Sequence, residues 1–530
     1  MPNARILLAL TVLLSVIWAV PARSEEAPPS LVGRIGAASG SASLRPAGGE
    51  WNAATVNDPL IAGMAVRTAD RARAAIGIGA FKGMLAGGSE AEIARLDDSV
   101  VQIALKQGRI GIHLARLDPG AVVEIDLPQG AVWLLAPGDY DIGAGGDQVP
   151  SWAAVFAGQA RFAGGGTDRT LAPGSALVMN SKGTVTAANA NADDFVASWR
   201  PPTDAAEHAA LQHVSAGMTG WDALDAAGTW EMSEGLGVVW VPKSVPDDWA
   251  PYRYGHWRWA TPWGWNWVDD MPWGFAPSHY GRWTRIAHDG DAERWAWVPG
   301  AEIAHPIYLP AAVNFIGSAG IGLSAPDPIG SVVAWFPLAP GEVYWPGYTG
   351  DLALIRKINA GAVKDVAKIG PGVGNEPPAE LITAHYQNRR FATVVPRAVF
   401  AGGRAIAPAQ VSLPQERLDN APLLLASPQI MPPASKPVVV AMASAVHTLS
   451  RILTSQPTRA VARVRGVRYS GSSSAHAQAR FQARSQTRSA FNARVAMSTS
   501  RARARAVAAY ARSTRARTHL AASSSKSRWH

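Results

Sequence analysis

Trp249-Ala250-Pro251-Tyr252-Arg253-Tyr254-Gly255-His256-Trp257 returns 26 residues later, without a gap, as Phe275-Ala276-Pro277-Ser278-His279-Tyr280-Gly281-Arg282-Trp283. Each copy is followed by a second shared element, Gly264-Trp265-Asn266-Trp267-Val268 and then Arg294-Trp295-Ala296-Trp297-Val298. Related corners stand at Trp240-Val241-Pro242, Trp297-Val298-Pro299 and Trp335-Phe336-Pro337. Fifteen of the chain's 21 tryptophans fall between Trp221 and Trp345. A repeated unit that spends this many large rings is a packing device first. It predicts stacked β-hairpins with interlocking indoles.

Outward from the repeat, residues of about 30–180 read as short strands. Val101, Ile103 and Leu105 alternate with Gln102, Ala104 and Lys106, and Gly108 marks a turn. Ile110, Ile112 and Leu114 resume the pattern, and Val123, Ile125 and Leu127 repeat it before Pro128-Gln129-Gly130. Period-two apolarity with frequent turns means antiparallel β structure, solvated on one face. The 51 glycines and 39 prolines agree with short, punctuated segments. The fold class is therefore mainly β. An N-terminal antiparallel β domain precedes a Trp-rich β-hairpin repeat domain, with few short helices and a disordered basic C-terminal tail.

Two resemblances follow from ordered motifs. Gly33-Arg34-Ile35-Gly36, Trp51-Asn52-Ala53-Ala54, Leu60 to Thr68, Ala72 to Ile78, Gln107-Gly108-Arg109-Ile110, Leu127-Pro128-Gln129-Gly130 and Ala157 to Phe162 together resemble the FecR-type periplasmic domain. The resemblance implies that fold and compartment over residues 30–185. Sigma-regulating relatives carry a cytoplasmic segment and a membrane helix before this domain, so anti-sigma signalling is not implied here. From Gly228-Thr229-Trp230 to about Gly403 the chain resembles the tryptophan-rich envelope family DUF6600. The likeness rests on Pro262-Trp263-Gly264-Trp265, Trp273 to Pro277, His279 to Trp283 and Trp335 to Tyr344. It names a family without an activity.

The ends of the chain bound its location. Arg5, the apolar run Ile6 to Val20 and the small residues after it read as a signal peptide over 1–24. That run is shorter than the ~20 residues a spanning helix needs. The expected location is periplasmic or secreted. The absence of cysteine excludes thiol nucleophiles, Cys-ligated zinc and iron–sulfur clusters. Net charge is +9, yet residues 451–530 hold 17 Lys and Arg and no acid. The remainder carries 32 basic against 40 acidic residues, or −8, so the basic pI belongs to a tail. Residues 193–230 read as a connector with a short helix over Asp204 to Gln212. Residues 231–404 form the Trp-rich segment, 405–450 a Pro/Ala-rich extended linker, and 451–530 the basic low-complexity tail.

No residue declares a reaction. Gly-x-Ser-x-Gly, His-Glu-x-x-His and a phosphate-binding loop are missing from the sequence. The indoles could form an aromatic platform for glycans or the core of a small repeat, and rarity of aliphatics there favours the core. Candidate ligand-binding residues are Trp257, Trp265, Trp283 and Trp295, with His256 and His279 beside them; no metal and no cofactor is expected. The tail would bind anionic lipids, lipopolysaccharide or cell-wall polymers rather than nucleic acid once exported. The resulting expectation is a non-enzymatic envelope binding or scaffolding module, with cell-wall or surface glycans as candidate partners. The alternatives are a glycan-active enzyme, which needs two carboxylates on facing walls of a cleft, and a periplasmic co-regulator of a transmembrane signalling partner.

Overall fold

The computed structural model describes residues 28–146, 149–200, 209–288, 292–317, 323–325, 330–428 and 430–431, all within one compact unit. The segments read as signal peptide and basic tail lie outside the described residues, as do residues 204–208 of the expected connector helix and 432–450 of the expected linker. The chain is mainly β with few short helices, as its patterning predicts. No described helix is long and apolar enough to cross a membrane.

The N-terminal part is two β-sheets packed on one aliphatic core, linked by the long strand Val100–Leu114. Its first half pairs antiparallel with Glu90–Asp97 and parallel with Val122–Leu127. Its second half pairs antiparallel with Phe81–Leu85 and Gly138–Ala144 in the other sheet. The inward residues change parity across the switch, from Val101, Ile103 and Leu105 to Ile110, Ile112 and Leu114. Gly108 takes φ +84° there, and a Cβ would stand 2.4 Å from Ser89 Oγ, so only glycine fits the crossing. The expected alternation recurs along Arg73–Ile78, where Ala74, Ile76 and Ile78 are buried and Arg73, Ala75 and Gly77 face outward.

The Trp-rich part repeats one pairing four times. In three hairpins the cross-strand partners are Trp230 with Trp240, Trp257 with Trp267, and Trp283 with Trp297. The fourth pairing, between Val313–Ile316 and Gly330–Pro337, places Phe315 opposite Trp335. In each tryptophan hairpin the second-strand indole lies over a glycine two residues before the first-strand indole. A Cβ would come within 2.2 Å of Trp240 at Gly228, and within 2.6 Å of Trp267 at Gly255 and of Trp297 at Gly281. Gly-x-Trp is thus a seat for the partner ring, and cross-strand aromatic pairs supply the local stability.

Stacking in sequence order does not occur. The first and third hairpins share one sheet through Trp240 opposite Trp297, while the middle one, Gly255–Ala260 with Gly264–Asp269, stands alone. The two copies of the quoted nonapeptide also differ. Phe275–His279 is helical, whereas its counterpart Trp249–Arg253 is a turn with Tyr252 at φ +59°. The helix lies between the second and third hairpins, which belong to different sheets. The extended-linker expectation also needs correction over its described portion. Ile406, Leu418, Leu423, Leu425 and Ile430 are buried in the Trp-rich core, Leu423–Leu424 pairs with Val313–Ile316, and Trp265 Nε1 donates to the Ile430 carbonyl at 2.7 Å. Apolar residues spaced without a period still bury when a sheet edge receives them. At the connector, Ala209–Gln212 is a 3-10 turn.

Candidate functional site

The residues proposed from sequence as an aromatic platform lie mostly inside. Trp257, Trp265, Trp283 and Trp295 are buried. Trp257 is enclosed by Trp267, Phe315, Trp335 and Phe400, with ring centroids 5.3–5.5 Å apart. Trp283 Nε1 donates to the Pro277 carbonyl at 2.9 Å. Rings enclosed in this way offer no open face to a sugar, and core packing accounts for them. His279 is fully buried; burial pushes its imidazole down to about 3, and the neutral ring donates from Nδ1 to the Leu309 carbonyl at 2.6 Å while stacking on Tyr308. His256 is half-buried, and burial with the neighbouring Arg258 charge lowers it to about 4. Among the described residues no three His, Asp or Glu side chains gather as a metal site.

The polar chemistry collects instead where the two β parts meet. Arg34, on the first sheet strand Gly33–Ser39, is 3% exposed. Its Nη1 donates to Asn57 Oδ1 at 3.1 Å and to the Pro272 carbonyl at 2.9 Å, and its Nη2 meets Asp222 at 3.2 Å. Asn57, fully buried at φ +67°, donates from Nδ2 to the carbonyls of Asp269 and Met271. Asp58 pairs with Arg258 at 3.0 Å, Thr219 Oγ1 bonds Val32 and Gly79, and Tyr308 N donates to the Ser30 carbonyl. A buried junction this well hydrogen-bonded holds one geometry, because each partner removed leaves an orphan in low dielectric. The sandwich and the Trp-rich part are therefore locked, not tethered.

A groove of about 340 Å³ opens beside that junction, on the outer face of the sandwich. Its floor follows from strand register. One row across the sheet runs Arg34, Gly77, Lys82, His113, and the next runs Ala75, Met84, Gly111. Trp199, at the end of the short helix Asp194–Trp199, lays its indole on Gly111, where a Cβ would stand 2.1 Å from Nε1. Asp222 closes the far wall and reaches both Arg34 and Lys82, the latter at 3.5 Å. Burial opposes the Asp222 charge, but the two cations outweigh it and hold the carboxyl below its usual range. Lys82 also lies 4.5 Å over the Trp221 ring.

Ion pairs continue along the same face. His113 Nδ1 meets Asp139 at 2.8 Å, and Arg200 binds the other Asp139 oxygen at 2.9 Å. Burial works against Asp139, yet those hydrogen bonds lower its pKa. Arg109 grips Asp141 and Asp193, and Trp152 Nε1 donates to Asp141. On the other sheet Glu124 is pushed up to about 7 by burial and by the Asp126 carboxylate two residues along the same strand face. Those two acids sit side by side on one strand, not on facing walls.

Sequence reasoning missed Arg34, Lys82, Trp199 and Asp222 as a group. A signal was present in the outward positions Ala75, Gly77 and Gly111, which are small where a solvated face usually carries long polar side chains.

Residues 221–342 match the family DUF6600, described as a family of unknown function. That span takes in the three tryptophan hairpins and Asp222 of the groove wall. No curated protein matches. Among solved structures, two crystal structures of a "putative anti-sigma factor" from Parabacteroides distasonis ATCC 8503 are similar, each at 14% identity and TM-score 0.23. The alignments cover 25% of this chain and 62% and 63% of those chains, so under two thirds of either relative is spanned.

Proposed function

We propose that this protein is a non-catalytic binding module of the bacterial envelope, whose locked β body presents the junction groove to a small ligand. The observation that carries the reading is the groove itself: an open, glycine-floored recess framed by the sandwich and the connector and held by a buried polar junction. Preorganised recesses of this size are the usual form of small-molecule sites. The groove's charged side chains are engaged in ion pairs, an arrangement that favours recognition over proton transfer. The FecR-type likeness of residues 30–185 supports a periplasmic location, and the basic tail would hold the protein on anionic envelope polymers.

Two measurements on the full chain test this. Fractionation should place the protein in the envelope, eluting as salt rises from about 50 to 200 mM. Hydrogen exchange should show slower exchange in strands 73–78 and 81–85 when a small-molecule extract of the envelope is added. A cytosolic protein, or unchanged exchange in those strands, would count against the reading.

A further inference from the structure

We infer that the groove takes a monocarboxylate with a flat, largely apolar body; this rests on the binding reading above and specifies its ligand. The charge on the groove wall sets the first constraint. Arg34 and Lys82 contribute two positive charges against the single negative charge of Asp222. His113 is tied to Asp139, which Arg200 also balances. One positive charge is left over, matching one carboxylate and falling short of a phosphate dianion.

The accessible donor sets the second. Arg34 Nε and Trp199 Nε1 are covered, belong to residues lining the groove, and have no hydrogen-bond partner. A buried donor without an acceptor is costly, but neither atom opens to the groove while Arg34 and Trp199 keep these positions, so the accessible Lys82 ammonium is the group that meets the carboxylate. The floor sets the third. Gly36, Ala75 and Gly77 project little above the sheet, while Met84 and the Trp199 indole, seated on Gly111, bound the recess with apolar surface. A planar body can lie on such a floor; a branched one meets the walls.

The glycines also provide a clean test. A Cβ at Gly77 would meet Arg34 Cγ at 3.7 Å, and one at Gly36 would meet Ala75 Cβ at 3.6 Å, both ordinary contacts. A single methyl added at each raises the floor without a clash, whereas a larger side chain would press on Arg34. Calorimetric titration of the full chain would use 2-naphthoate, its neutral isostere 2-naphthamide, and 2-naphthyl phosphate. Naphthoate should bind at least about tenfold more tightly than either of the other two. Lys82→Met should weaken naphthoate by about tenfold and leave naphthamide unchanged. Gly36→Ala combined with Gly77→Ala should weaken naphthoate by at least about tenfold at an unchanged melting temperature; should that variant fail to fold, Lys82→Met carries the test. Naphthamide binding equal to naphthoate, tighter binding of the phosphate, or indifference to Lys82→Met would overturn the inference. If envelope extract protects strands 73–85 while no naphthoate binds, the ligand class is wrong and the groove reading stands. If neither acts, both fall.

Discussion

The sandwich and the Trp-rich part solve the same problem with different side chains. The buried cluster of the sandwich is built from Ile, Val, Leu, Ala, two Met and a few single rings, and holds no tryptophan. The buried cluster of the other part contains Trp221, Trp240, Trp257, Trp267, Trp283, Trp297, Trp335 and more. The difference follows from sheet size and closure, for the strands of the two parts are mostly of similar length. The sandwich has two extended sheets whose inward positions face each other, so aliphatics at every second residue fill the gap. The tryptophan hairpins have strands of six residues or so, separated by turns and a helix. Few inward positions are available, and an indole covers roughly 150–250 Å² from each. One device serves both parts, the indole lapped on glycine. In the hairpins it sits inside the core. On the sandwich, Trp199 on Gly111 and Trp152 on Gly143 lie on the outer face and border the ion pairs around Arg109 and Asp141.

The contrast can be broken by substitution. Trp257→Ala and Trp283→Ala should each lower the unfolding free energy by about 3–5 kcal/mol, the cost of emptying an aromatic core site. Chemical denaturation checks this, and near-neutral values would return the rings to a ligand-binding role. Arg34→Ala should cost about 1–3 kcal/mol for each acceptor it orphans, the Asn57 Oδ1 and the Pro272 carbonyl, while Asp222 keeps Lys82. It should also make the two parts unfold separately, which a calorimetric trace would resolve. By contrast Trp51, in the sandwich, lies over Arg45 and Arg67 at 4.9 and 4.4 Å on the surface. Trp51→Ala should cost only about 1 kcal/mol, the scale of exposed cation–π contacts.

A pH experiment sharpens the junction's part in this. Burial raises Asp269 from 3.8 to about 7, against hydrogen bonds from Trp267 and Met271. Between those values the folded state holds a proton that the unfolded state has released. Stability from this group is therefore present at low pH and falls as pH rises, by up to about 1.4 kcal/mol per unit. His279, lowered to about 3 by burial, acts oppositely and loses stability as pH falls below its usual value. The wild type minus Asp269→Asn difference isolates the first effect. It should fall with rising pH between about 4 and 7, and a flat difference would deny Asp269 its raised pKa. The smallest effect belongs to the exposed pair Arg161 and Asp168: Arg161→Ala should leave the denaturation midpoint unchanged.

Much of the fold was legible because it repeats locally. Val123, Ile125 and Leu127 announce a half-buried strand, whereas Gly108, which reads as a turn, is the point where one continuous strand crosses between the sheets. The equivalence of Trp257 and Trp283 could be read from a gapless 26-residue offset. What stayed hidden depends on distant partners. The parallel pairing of Val122–Leu127 with Val100–Leu114 needs the whole sheet order. Leu418 and Ile430 looked like linker residues because the sheet edge and indole that receive them lie far back in the chain. The groove was least legible of all. Arg34 and Asp222 stand 188 residues apart, and each reads alone as a surface charge.

The central claim is that an aliphatic core and an indole core are locked into one cooperative body by the Arg34 and Asn57 junction. The direct test is thermal unfolding of the full chain, followed at once by tryptophan fluorescence and by hydrogen exchange in the sandwich strand Val100–Leu114. Fluorescence reports mostly on the hairpins, and exchange reports on the sandwich. The account predicts coincident midpoints for the intact protein and separate ones for Arg34→Ala. Resolvably separate midpoints in the intact protein would contradict it.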